Sequence, residues 1–165
     1  MSSNKYREHL VVIPEDDANR EMAIGFLLDR AVRTRAVQVE PVAGGWPNVV
    51  ARFNREIAST LPLYQKRYVV LMIDFDNKPN RSDDVLGQLE IPAGCEDRVF
   101  VLGVQSEPED LRTALHLPLE SIGTALAAEC REGTITIWGH DLLRGNLGTL
   151  QLIRQSVCPF LFAAP

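Results

Sequence analysis

The chain has 165 residues, of which 45% are hydrophobic, and a formal net charge of −5. That is enough apolar material for one domain, and the acidic balance argues against a broad, sequence-independent grip on nucleic-acid phosphates. It leaves room for a nucleic-acid enzyme that works through a bound metal or a basic partner. No segment reaches the roughly 18 consecutive apolar residues of a membrane span, and Met1 to Glu8 is polar. The expectation is a cytoplasmic chain forming a single domain over residues 1–165, without a linker. Cys95, Cys130 and Cys158 are odd in number, far apart and unaccompanied by histidines at metal-ligand spacing, which points to buried or half-buried free thiols.

In chain order, His9 to Ile13 is a β-branched apolar run ended by Pro14, the pattern of a strand covered on both faces. An acidic turn follows, and from Ala18 the residues Met22, Ala23, Phe26 and Leu27 recur at helical spacing, with Asp16 or Asp17 placed as the cap. Ala36 to Glu40 reads as a second strand, Pro41 to Gly45 as its loop, and Trp46-Pro47-Asn48 as the opening of a helix carrying Val49, Val50, Phe53 and Ile57. The strongest strand signal is Tyr68 to Ile73, which stops at the polar, proline-containing stretch Asp74 to Asn80.

Ser82 to Asp84 is expected to cap a short helix through Leu89. Arg98 to Val104 is the fourth strand, with Pro108 starting the helix after it. A helix over about 119–130 precedes Thr134 to Trp138, whose alternation suggests a fifth strand, and Leu142, Leu143, Leu147, Leu150 and Ile153 continue at near-helical spacing. Alternating strands and helices with continuous apolar strands imply an α/β fold. The expected architecture is a three-layer, doubly wound, mostly parallel sheet of four or five strands.

Ligands of such sheets bind outside the carboxyl ends of the strands, and here the loops after the first and third strands are both acidic. Glu15, Asp16 and Asp17 follow one; Asp74 and Asp76 follow the other. Carboxylates converging in one crevice raise each other's proton affinity unless a cation sits among them, and a hard divalent ion, magnesium or manganese, is the simplest relief. If strand geometry persists through Asp74-Phe75-Asp76, the two carboxylates point one way and Phe75 turns back to the core. Lys78 and Arg81, just beyond, are candidates to contact a phosphate, although solvated loop charges look the same in sequence. Glu107, Glu109 and Asp110 can extend the acidic site or merely suit a helix start. His140-Asp141 has no G-x-S-x-G companion, and Gly44-Gly45 belongs to no dinucleotide or phosphate-loop motif. Trp46 and Trp138 read as core or interface aromatics.

Val11 to Glu15, a helix, then Val69 to Asp76 together resemble the Toprim domains of topoisomerases, primases, overcoming-lysogenization-defect nucleases and small ribosomal-RNA maturases. The likeness covers about half the chain, and Asp16 stands where that family usually has Gly. It implies Glu15 as general acid/base or metal ligand and Asp74 and Asp76 as magnesium ligands; Asp17, in the first acidic turn, is a further candidate metal ligand. The activity implied is that of a metal-dependent nuclease, a hydrolase acting on DNA or RNA, with or without a protein partner. Glu15-Asp16-Asp17 with Asp74 also resembles the acidic pocket of response-regulator receiver domains. There Asp74 would be the phosphoacceptor and Ser106 would follow the fourth strand, but Trp138-Gly139-His140-Asp141 stands where such domains carry a lysine. A non-catalytic subunit whose acidic edge docks a basic partner is the third reading.

Overall fold

The apolar runs become strands whose side chains alternate between two cores. The computed structural model describes residues 6–164, with β1 at His9–Pro14, β2 at Val37–Val39, β3 at Arg67–Asp74 and β4 at Val99–Val104. Leu10, Val12, Val70 and Phe100 face one side, against Met22, Ile122, Leu126 and Leu150. Val11, Ile13, Val69, Leu71 and Val101 face the other, against Val49, Phe53 and Val85. Both faces of each central strand are therefore dry, which explains sequence runs without polar alternation. The three-layer expectation is met.

The sheet is all parallel, in the order β2-β1-β3-β4, with Val12 level with Val39 on one side and Val70 on the other. Helix α1 (Asp17–Leu27) carries the chain from β1 to β2, α2 (Trp46–Arg52) and its irregular continuation lead from β2 to β3, and α3 (Arg81–Gln88) leads from β3 to β4. After β4 come α4 (Pro108–Leu115), α5 (Leu119–Glu132), α6 (Leu147–Ser156) and α7 (Cys158–Leu161). The chain leaves β1 for β2 on one side and returns to β3 on the other. The loops after β1 and β3 thus part at a topological switch point, the place where sheets of this kind bind ligands. No helix among the described residues is long and apolar enough to cross a membrane.

Thr134 to Trp138 is not a fifth strand but a turn, and four strands make up the sheet among the described residues. The reason is local competition for its donors. The Ile137 and Trp138 amides donate to the buried Glu129 carboxylate, at 2.9 and 3.1 Å, and Trp138 Nε1 donates to the Leu126 carbonyl at 3.0 Å. Gly139 N–H closes the turn onto Ile135 O. The outer edge of β4 is occupied instead by a side chain: Asn146 accepts from Gly103 N–H at 3.0 Å and donates back to Gly103 O at 2.7 Å, as a neighbouring strand would. Glu129→Ala leaves two amides without acceptors in a mostly dry layer and is expected to destabilise by about 3 kcal/mol. Equilibrium urea unfolding with Trp fluorescence checks this; a loss under about 0.5 kcal/mol, the level of an ordinary surface change, would remove Glu129 as the organiser of the turn.

Candidate acidic crevice at the switch point

The crevice is built from the last residues of β1 and β3 and the first turn of α1. Asp16 caps α1: its extended backbone turns the chain, and its Oδ1 accepts from Asn19 N–H at 2.9 Å. That cap places Asn19, only 1% exposed, against the sheet, where its Nδ2 donates both to Asp16 Oδ1 at 2.9 Å and to Asp74 Oδ1 at 2.8 Å. Glu15 Oε2 accepts from the Asp74 backbone N–H at 2.6 Å, a contact between residues 59 positions apart. The loop after β2 closes over the same turn, with Gly44 N–H donating to the Glu15 carbonyl at 2.8 Å.

The second acidic residue of Asp74-Phe75-Asp76 is placed by a turn rather than by the strand. Phe75 does return to the core, with 7% exposure, and its ring fits over Gly103, where a Cβ would come within 2.7 Å of it. Asp76 and Asn77 then adopt left-handed backbone, with φ of 51° and 59°. Their amides donate to the Ser106 and Gln105 carbonyls. Strand geometry therefore ends at Phe75, and the shared direction that it would have imposed on the two carboxylates is lost. Asp76 is half exposed and accepts from Arg81 Nη1 at 2.9 Å. Arg81 is no solvated loop charge: its side chain is 8% exposed and its guanidinium lies 4.9 Å from the centroid of the Trp46 ring. Lys78 is exposed.

Burial pushes the Asp74 carboxyl up to about 7; Asn19 donation opposes the rise, and Asp16, Glu15 and Asp76 add to it. Burial likewise raises Glu15, against the Asp74 N–H, with Asp16 and Asp76 adding their charge. Glu107, beyond β4, is raised first by Glu109 and Asp110, and in smaller measure by Asp76 and Asp16. Glu15, Asp16, Asp74 and Asp76 thus share one electrostatic field. Asp17 is exposed in the first turn of α1, whereas Asp16, the cap, adds its charge to both buried carboxyls.

The donor set consists of carboxylate oxygens, the hard ligands that suit magnesium or manganese. Among the described residues no three Asp, Glu, His or Cys side chains converge closely enough to hold an ion as they stand. The hydrogen bonds of the site explain this, because Asp74 N–H occupies Glu15, Asn19 ties Asp16 to Asp74, and Arg81 takes Asp76. Asn19 Oδ1 and Ser106 Oγ are buried here without hydrogen-bond partners.

Sequence reasoning missed Asn19 and the pairing of Arg81. The Asp16-x-x-Asn19 spacing, a cap residue and the position it bonds, is the signal that points to the former. His140 serves its own turn, its Nδ1 accepting from Leu142 N–H, and Asp141 pairs with Arg144 at the surface. In comparisons with known proteins the chain matches no family model, no curated protein and no solved structure.

Proposed function

We propose that this crevice is a Toprim-like, metal-dependent site for phosphodiester hydrolysis in DNA or RNA. The observation that carries the reading is the 2.6 Å contact of the Glu15 carboxylate with the Asp74 amide, which joins the two acidic turns at the switch point. Glu15, Asp74 and Asp76 would hold magnesium or manganese, with Asp76 released from Arg81. The ion, when bound, supplies positive charge to the phosphoryl oxygens.

The chain's own groups have separable tasks in this reading. Glu15, the carboxylate that follows β1, would handle the proton of the attacking water or of the leaving oxygen. Asn19 fixes the rotamer of Asp74 by holding its Oδ1. Lys78, the exposed cation of the β3 loop, meets a substrate phosphate as a point charge, while Arg81 sets the position of Asp76 from behind. The net charge of −5 leaves further substrate grip to a partner or to short contacts near the cut.

The test is cleavage of end-labelled single- and double-stranded DNA and RNA with manganese, with magnesium and with chelator. Glu15→Gln keeps an acceptor for the Asp74 amide and loses the base, so the rate is expected to fall about 100-fold or more. Full activity in Glu15→Gln, or none in the native chain on any substrate, counts against the proposal. Labelling of Asp74 by a small phosphodonor would move the assignment to a receiver.

A further inference from the structure

On the opposite side of the sheet from Cys95, α5 and α7 bring two thiols together. Cys130, near the end of α5, and Cys158, the first residue of α7, are 28 positions apart in sequence, yet their Sγ atoms lie 2.9 Å from each other. That is inside the van der Waals contact of two sulfurs and leaves about 1 Å to the roughly 2.05 Å of a disulfide bond. Cys130 is 5% exposed and Cys158 is half-buried, so a small reagent reaches the pair through Cys158.

A cation lies beside them. Arg154, in the last turn of α6, donates through Nη2 to the Glu129 and Thr134 carbonyls, while its Nε–H is buried with no acceptor. Its charge acts on both thiols. The Cys130 thiol bonded to Cys158 holds the latter below its ordinary range, with Arg154 adding to the effect, and the same hydrogen bond and burial push Cys130 up. Cys158 is the more accessible of the two sulfurs and the one that a reagent meets first.

We propose that Cys130 and Cys158 form an oxidisable dithiol site that a hydroperoxide converts to an intramolecular disulfide. In the first step the Cys158 thiolate attacks one peroxide oxygen, the O–O bond breaks, and the departing hydroxide takes a proton from solvent to leave as water. The product is a sulfenic acid on Cys158. In the second step Cys130 Sγ attacks the Cys158 sulfur, the S–O bond breaks, and hydroxide leaves as water with the Cys130 proton. Two electrons pass from the dithiol to the peroxide, and hydrogen peroxide yields two waters. The bond ties α7 to α5, which packs on α1 through Gly123, and fixes the segment where Phe162 pairs with Val32. Cys95 takes no part, because it sits in the other core layer and accepts from Arg98 Nη2 at 3.1 Å. The site is independent of the acidic crevice and stands whether or not that crevice cleaves nucleic acid.

The experiment treats the full chain with a small excess of hydrogen peroxide, then alkylates remaining thiols in denaturant and maps the peptides. Expected are the loss of two thiols per chain, Cys95 still alkylated, a Cys130–Cys158 cross-linked peptide reversed by dithiothreitol, and a higher Tm for the oxidised protein. In Cys130→Ser, Cys158 is expected to stop at the sulfenic acid and be trapped by a cyclic 1,3-dione. Three alkylatable thiols after treatment, or loss through Cys95 or chain-to-chain linkage, would overturn the proposal. Because the peptide map of the native chain decides alone, a poorly folding variant does not blunt the test.

Discussion

Asp74→Asn is expected to make the protein more stable and less active at once. Its carboxyl is held up to about 7 by burial and by three neighbouring carboxylates, whereas an unfolded chain gives it about 3.9. The folded state therefore binds this proton more tightly than the unfolded state does. Stability from Asp74 is fully present below about pH 4, is lost as pH rises through about 7, and stays lost above it. At about 1.4 kcal/mol per tenfold change in proton affinity the ceiling is about 4 kcal/mol, which solvent at the crevice mouth reduces to about 2. Asparagine keeps the oxygen that Asn19 holds and removes the charge, so above pH 7 the variant is expected to exceed the native chain by about 2 kcal/mol. In the proposed site the same change deletes a metal ligand, so cleavage is expected to fall at least 100-fold and magnesium to stop raising the Tm. Urea unfolding from pH 5 to 8.5 reads the first effect and calorimetry the second. A stability difference constant across that range would refute the electrostatic account, and unchanged magnesium binding the functional one.

The legible parts of the molecule are those that depend on neighbours in sequence or on a rule of topology. His9 to Ile13 and Tyr68 to Ile73 announce buried parallel strands because both of their faces are dry, and the acidic turns after them follow from the switch-point rule. What stayed hidden depends on distant partners. Thr134 to Trp138 has strand composition, but Glu129, one turn from the end of α5, claims the amides that a sheet edge would need. Asp76 leaves the pleat because Phe75 must seat on Gly103 and the next two residues turn back toward β4. Asp16 rather than Asp17 is tied into the site because the cap, not the first helical residue, bonds Asn19. The Cys130–Cys158 contact is set by how α5 ends and α7 begins, which no spacing in the sequence encodes.

Gly123→Ala is expected to be among the most damaging single-methyl additions in the chain, and to reach the crevice as well as the core. At the crossing of α1 and α5 a Cβ on Gly123 would lie 2.0 Å from Met22 O and 2.8 Å from Phe26 N, while one on Gly25 would lie 2.0 Å from Glu120 O. These are backbone atoms, so no rotamer change relieves the clash and the helices must separate. Separation loosens Met22, Ala23, Ile122 and Leu126 together and stretches the Thr124 hydroxyl bond to the Gly25 carbonyl, now 2.7 Å. The helix propensity of alanine returns about 1 kcal/mol, but overpacking against rigid backbone costs about 3 or more, for a net loss of about 2. Gly87 in α3 is the control: nothing lies within 4 Å of a Cβ there, and Gly87→Ala is expected to stabilise by about 0.5 kcal/mol. Because α1 also carries Asn19, its displacement lengthens the 2.8 Å bond to Asp74 and frees that carboxylate to rotate. Urea unfolding of the two variants side by side decides the matter: equal stabilities would show that the helices do not cross on their backbones, and an unfolding difference of about 2.5 kcal/mol in favour of Gly87→Ala would show that they do.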